Sequence, residues 1–172
     1  TLTNKVLAKR PDAQLTLLKA YFHSRLGQAK PAWEIINSTA DDVKALPFVR
    51  GVIARLHLID KAPEQAVEHA QAAYDATPNS DNALLLIAAL EMSGKKAQAF
   101  TFLEKHVQAH SNDIPSAMLL AERQIGKDRA AAIKTYEQVL TKTPDNFVVL
   151  NNLAYLALED KNLTRAEELA KK

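Results

Sequence analysis

Alanine returns in this chain at a fixed interval, and it does so twice over. One ladder runs Ala20, Ala54, Ala88, Ala121 and Ala154, in steps of 34, 34, 33 and 33 residues. A second runs Ala32, Ala66, Ala99, Ala132 and Ala166, in steps of 34, 33, 33 and 34. With 29 alanines in 172 residues one such ladder could be chance, but two in phase mark a repeating unit. The physical reason is helix crossing. Where two antiparallel helices approach closely, only a small side chain lets the backbones meet, and a larger one overpacks. Each unit therefore needs two helices, and the chain divides into about five units of roughly 34 residues.

The stretch Pro144 to Lys172, PDNFVVLNNLAYLALEDKNLTRAEELAKK, shows the unit most clearly. Leu150, Leu153, Ala154 and Ala157 fall at helical spacing, a break follows at Asp160 to Asn162, and a second stripe runs through Leu163, Ala166, Leu169 and Ala170. Asp145 or Asn146 can cap the first helix, and Thr164 with Glu167 has capping-box spacing for the second. This order of proline, leucine, small residue, turn and alanine resembles the tetratricopeptide repeat. The resemblance implies an all-α fold: a right-handed superhelical solenoid of antiparallel helix pairs, with about five repeats in a single array over 1–172. Residues 1–11 read as the tail of a preceding repeat, stopped by Pro11, and repeats follow at about 12–42, 43–78, 79–112, 113–144 and 145–172, the last truncated. Helices are expected at about Asp12 to Gly27, Gln28 to Thr39, Pro47 to Ile59, Pro63 to Thr77, Ser80 to Ser93, Lys96 to Ala109, Asp113 to Ile125 and Asp128 to Lys142. The junction holding Asp41, Asp42 and Pro47 is the most irregular and reads as a bend.

Composition narrows the function. No run approaches the ~20 uncharged apolar residues of a membrane span; the longest, Ala83 to Leu90, has eight and reads as a buried helix face. A net charge of +2, spread evenly over both halves, gives no concentrated basic face for nucleic acid. Absence of cysteine excludes disulfides, thiolate catalysis and cysteine-ligated zinc. The chain opens at Thr1 without methionine and stops inside a helical pattern at Lys172, so it reads as part of a longer array whose terminal helices offer surfaces for self-association.

Catalytic patterns fail one by one. Ser93 and Lys96 have the serine–lysine spacing of some acyl enzymes, but they fall on a turn without partner motifs. His106 and His110 lie one helical turn apart, with neither an intervening glutamate nor a third ligand. His23 and His57 take the same place beside successive turns and read as packing residues. Asp41 and Asp42 read as a loop pair capping the next helix. Gly94-Lys95 and Gly126-Lys127 lack phosphate-loop spacing, and Asn37 and Asn162 head glycosylation sequons that matter only in a eukaryotic secretory setting. The expectation is a protein without catalytic residues, metal or cofactor.

In the tetratricopeptide repeat the first helices line a concave face. The resemblance places Leu17, Leu85, Met118 and Asn151 there, then Tyr21, Arg55, Ala89, Glu122 and Tyr155, and beyond them Leu58 and Met92. An adaptable apolar floor with Tyr, Arg and Glu at its margins suits a peptide or a partner helix. The lysine, arginine and asparagine clamp with which some members grip chaperone C-termini is missing, since Leu17, Tyr21, Gly51, Val52, Leu86 and Pro115 hold its places. The segments LNNLAYLA and AEELA resemble repeats in Gram-negative envelope proteins, including lipoproteins that accompany exopolysaccharide or sorting systems. The reading is a non-enzymatic scaffold in a bacterial envelope assembly or export system, with a protein or peptide partner in its groove. The alternative is a docking module of a larger envelope glycosyl- or peptidyl-transferring enzyme.

Overall fold

The structure is a computed structural model that describes residues 11–172; the expected repeat tail at 1–10 lies outside the described residues. Eleven helices and no strand occur among the described residues. They are α1 (Pro11–Arg25), α2 (Ala29–Asn37), α3 (Asp41–Lys44), α4 (Pro47–Ile59), α5 (Pro63–Ala76), α6 (Ser80–Met92), α7 (Lys96–Ala109), α8 (Ile114–Ile125), α9 (Arg129–Lys142), α10 (Phe147–Glu159) and α11 (Leu163–Ala170). The chain falls into two compact units, the first ending at Ala99 and the second spanning Phe100–Lys172. No helix among the described residues is long and apolar enough to cross a membrane.

Helix ends follow from local chemistry. Pro47 and Pro63 open α4 and α5, where a missing N–H costs nothing. Asn79, Asp113, Asp128, Asn146 and Asn162 cap α6, α8, α9, α10 and α11, each side chain accepting from the backbone N–H three residues on. The cap of α11 is therefore Asn162 rather than Thr164, which lies already inside the helix, and Glu167 bonds Lys171 instead of closing a capping box.

The turns inside four helix pairs share one design. The N–H groups of Gln28, Ala62, Lys95 and Asn162 reach back five residues to the carbonyls of His23, His57, Leu90 and Ala157, at 2.8–2.9 Å. The residue before each is left-handed: Gly27, Lys61, Gly94 and Lys161, with φ between 58° and 78°. The α8–α9 turn departs from this, because Gly126 stays right-handed and Asp128 N–H bonds Gln124.

In the first unit α1 packs on α2, α4 on α5, α5 on α6, and the first helices α1, α4 and α6 also touch in sequence. Leu17, Ala20, Ala32, Ile36, Val49, Val52, Ile53 and Leu56 form its core. In the second unit α8 packs on α9, α9 on α10 and α10 on α11, around Ala117, Ala121, Tyr136, Val139, Val149, Leu150, Leu153 and Leu169. Nine of the ten ladder alanines are buried; in α6 the ladder's Ala88 is half-buried, and Ala89, one place beyond it, is fully buried. One element departs from expectation. Asp41 and Asp42 do not form a loop pair but sit in the first turn of the short helix α3, where carboxylates complement the helix dipole. Val43 and Leu46 anchor that insertion in the core beside α4.

Candidate functional site

The first-helix surface of the first unit is built on its alanines. With Ala20 and Ala54 held against their partner helices, the next residue of each helix turns toward the open side, giving Tyr21 on α1 and Arg55 on α4. Tyr21 packs on Phe22 at 5.6 Å and on Phe48 of α4 at 5.5 Å between ring centroids. Arg55 is half-buried, and among the described residues its buried Nε has no hydrogen-bond partner. Burial pulls its pKa down, the charge of Arg25 on α1 adds to this, and Tyr21 with Asp81 of α6 oppose it. Leu58 is half-buried and Met92 exposed, whereas Leu17, Leu85 and Ala89, expected on the same face, are buried. The result is a cationic group with unsatisfied donor capacity beside Tyr21, which in turn packs on Phe22 and Phe48. That chemistry suits an acidic group flanked by apolar side chains.

In the second unit Met118 is half-buried on α8, its sulfur 3.7 Å from Asn146 Nδ2, while Glu122 is exposed. On α10, Asn151 and Tyr155 are exposed and line a trough of about 480 Å³ with Leu158, Leu163 and Ala170. Tyr155 O–H donates to Glu159 at 2.7 Å, and Arg129 pairs with Glu159 at 2.8 Å and Asp160 at 3.0 Å. The Tyr155 hydrogen bond, then Arg129, hold the Glu159 carboxyl below its ordinary pKa. A cleft of about 640 Å³ opens between α7, α8 and α9, floored by Val107, Ile114, Leu120 and Val139. The sequence reading did not foresee it, because its walls come from second helices and a helix N-terminus.

The tempting catalytic patterns take structural roles. His106 is buried, with Nε2 at 2.8 Å from Asp113, which caps α8 and also accepts from the Ser116 hydroxyl. The His110 ring leans on it at 4.6 Å. Ser93 caps the end of α6, its hydroxyl donating to the Leu90 carbonyl. No group of three or more metal-ligating side chains occurs among the described residues. A cluster that the sequence did not announce surrounds His57. Trp33 meets it edge-on at 5.2 Å and donates through Nε1 to Asp60 at 2.6 Å, while His69 stacks on it at 5.6 Å.

These features define a helical-repeat protein whose first unit carries half-buried and exposed side chains on its first helices. Residues 135–168 match the tetratricopeptide repeat family. Among solved structures, the chain is similar to YrrB, described as a tetratricopeptide repeat protein with an unusual peptide-binding site. The two share 14% identity over 98% of this chain and 89% of that one, with a TM-score of 0.63. It is also similar to MamA from Desulfovibrio magneticus RS-1, with 17% identity over 92% and 91% and a TM-score of 0.68. A further MamA structure shares 12% over 92% and 88%, again at 0.68. No curated protein sequence matches. At these identities the likeness establishes the fold, which is the helix-pair fold of tetratricopeptide repeat proteins.

Proposed function

We propose that the protein is a non-enzymatic interaction scaffold, and that the first-helix surface of its first unit holds a peptide carrying an acidic group next to apolar residues. The observation that supports this reading is Arg55: a half-buried guanidinium with an unpartnered Nε, set beside Tyr21, whose ring packs on Phe48. The half-buried guanidinium carries a charge that an incoming carboxylate can pair with, in surroundings where such a pair is screened less than in bulk water. Met92 and Leu58 extend the surface for apolar side chains. Peptide binding in YrrB is consistent with this use of the fold. The segments LNNLAYLA and AEELA support a partner within a bacterial envelope assembly or export system.

Selection from a displayed random-peptide library tests the proposal. Enrichment of acidic–apolar motifs, lost in Arg55→Gln and in Met92→Glu while circular dichroism stays unchanged, is the expected result. Absence of enrichment on folded protein, or enrichment that both variants retain, would remove this surface as the site.

A further inference from the structure

One glycine stands inside a helix whose own structure does not ask for it. Gly51 lies within α4 and its φ is not positive, so it weakens the helix relative to alanine. A Cβ at Gly51 would meet Asn82 Oδ1 at 3.5 Å and Ala73 Cβ at 3.9 Å, both ordinary contacts. Alanine therefore fits there, and neither backbone conformation nor packing explains the missing side chain. Gly51 is half-buried, and Arg55 follows it by four residues, on the same face of α4 and about 6 Å along the helix.

The side chain facing this notch is held in one orientation. Asn82, in the first turn of α6, donates through Nδ2 to the carbonyls of Thr77 at 2.9 Å and Ala73 at 3.3 Å, at the C-terminal end of α5. Turning the amide over would break both bonds, so its oxygen stays toward Gly51. Asn82 is half-buried, and among the described residues that oxygen accepts no hydrogen bond.

We propose that Gly51 and Asn82 form a main-chain subsite one helical turn from Arg55. A peptide lies close over the glycine, donates one backbone N–H to Asn82 Oδ1, and sets its acidic group on the Arg55 guanidinium. A methyl group on Gly51, 3.5 Å from that oxygen, would stand in the path of the approaching chain. The chemistry recognised is an unsubstituted amide. Proline or an N-methylated residue brings no N–H, so the ligand would cover the amide oxygen and leave it unpaired. This subsite rests on the reading of the Arg55 surface as a peptide site and adds to it a requirement on the peptide backbone.

The probe is a peptide enriched on the parent protein from the displayed library and lost in Arg55→Gln, synthesised with single N-methyl groups at successive amides. In fluorescence anisotropy one amide should stand out, its methylation weakening binding at least about fivefold, the effect of burying an unpaired acceptor. Gly51→Ala should hold or raise the melting temperature and weaken the unmethylated peptide to a similar extent. Methylating the sensitive amide should then cost that variant little more, because the same contact is already gone. No enrichment on the folded parent, or enrichment that Arg55→Gln retains, removes the peptide reading and this subsite with it. A peptide that needs Arg55 yet binds Gly51→Ala as tightly as the parent overturns the subsite alone. The same holds where no single amide stands out, or where methylation costs the variant as much as the parent. A lower melting temperature in Gly51→Ala also overturns it, because packing would then require the glycine.

Discussion

At the residue scale, the alanines set the tolerance of the fold. Ala54 has no exposed surface, lying in α4 where that helix meets α5. Ala54→Leu inserts three carbons where the backbones already touch, and the expected loss is about 1–3 kcal/mol in urea unfolding. Ala130→Leu, at an exposed place in α9, should stay within about 0.5 kcal/mol and serves as the control. If both variants unfold at the same urea concentration, the ladder does not mark the crossings. A gain is available at Lys61, which holds a left-handed φ of 58° in a turn that uses glycine at Gly27 and Gly94. Lys61→Gly relieves that strain and should raise stability by roughly 0.5–1 kcal/mol, less whatever extra freedom glycine gives the unfolded chain. These residues were legible because each owes its identity to one local demand repeated at a fixed period. Asn162 was missed for a related reason. An Asx cap and a nearby Thr–Glu pair both fit the segment, and only geometry shows which oxygen meets the Arg165 N–H.

At the element scale, the junctions carry what the sequence hid. The turn chemistry and nearly every helix boundary followed from proline, glycine and Asx placement, yet α3 did not. Four residues are too few to show helical periodicity, so two adjacent aspartates looked like a loop. The Trp33–His57–His69 cluster was invisible for another reason. Its members come from α2, α4 and α5, and their meeting depends on helix register across the pairs rather than on any linear spacing. That cluster has a pH consequence. Burial lowers the pKa of His57 against the opposing pull of Asp60; burial, then Arg50 and His57, lowers that of His69 against Glu68. Between the lowered folded values and the unfolded value near 6.5, the unfolded chain holds more protons than the folded one. Stability should therefore fall as pH drops below about 6.5 and level off once the folded imidazoles also charge. Thermal melts across that window should show a smaller pH slope in His69→Gln. An unchanged slope would place the protonation elsewhere.

At the scale of the whole molecule, packing is local. In the first unit α1, α2, α4, α5 and α6, and in the second α8 to α11, rest on neighbours in sequence or on the next first helix, and the two units are delimited at Ala99 and Phe100. In such ladders stability approximates a sum of unit terms and nearest-neighbour terms, so damage should remain near its origin. Ala132 has no exposed surface and lies in α9, within the second unit. Ala132→Leu should open α8, α9 and α10, raising their amide hydrogen exchange by roughly tenfold to a hundredfold for a destabilisation of about 1.4–3 kcal/mol. Amides of α1, α2 and α4, in the first unit, should exchange as in the parent protein. The comparison belongs under conditions where exchange reports equilibrium opening, because only then does the change in rate translate into free energy. If protection falls equally in all helices, the chain unfolds as one cooperative body and the division at Ala99 has no energetic meaning. If protection falls only around α9, energetic coupling decays over one helix pair, as expected of a fold assembled from repeated local contacts.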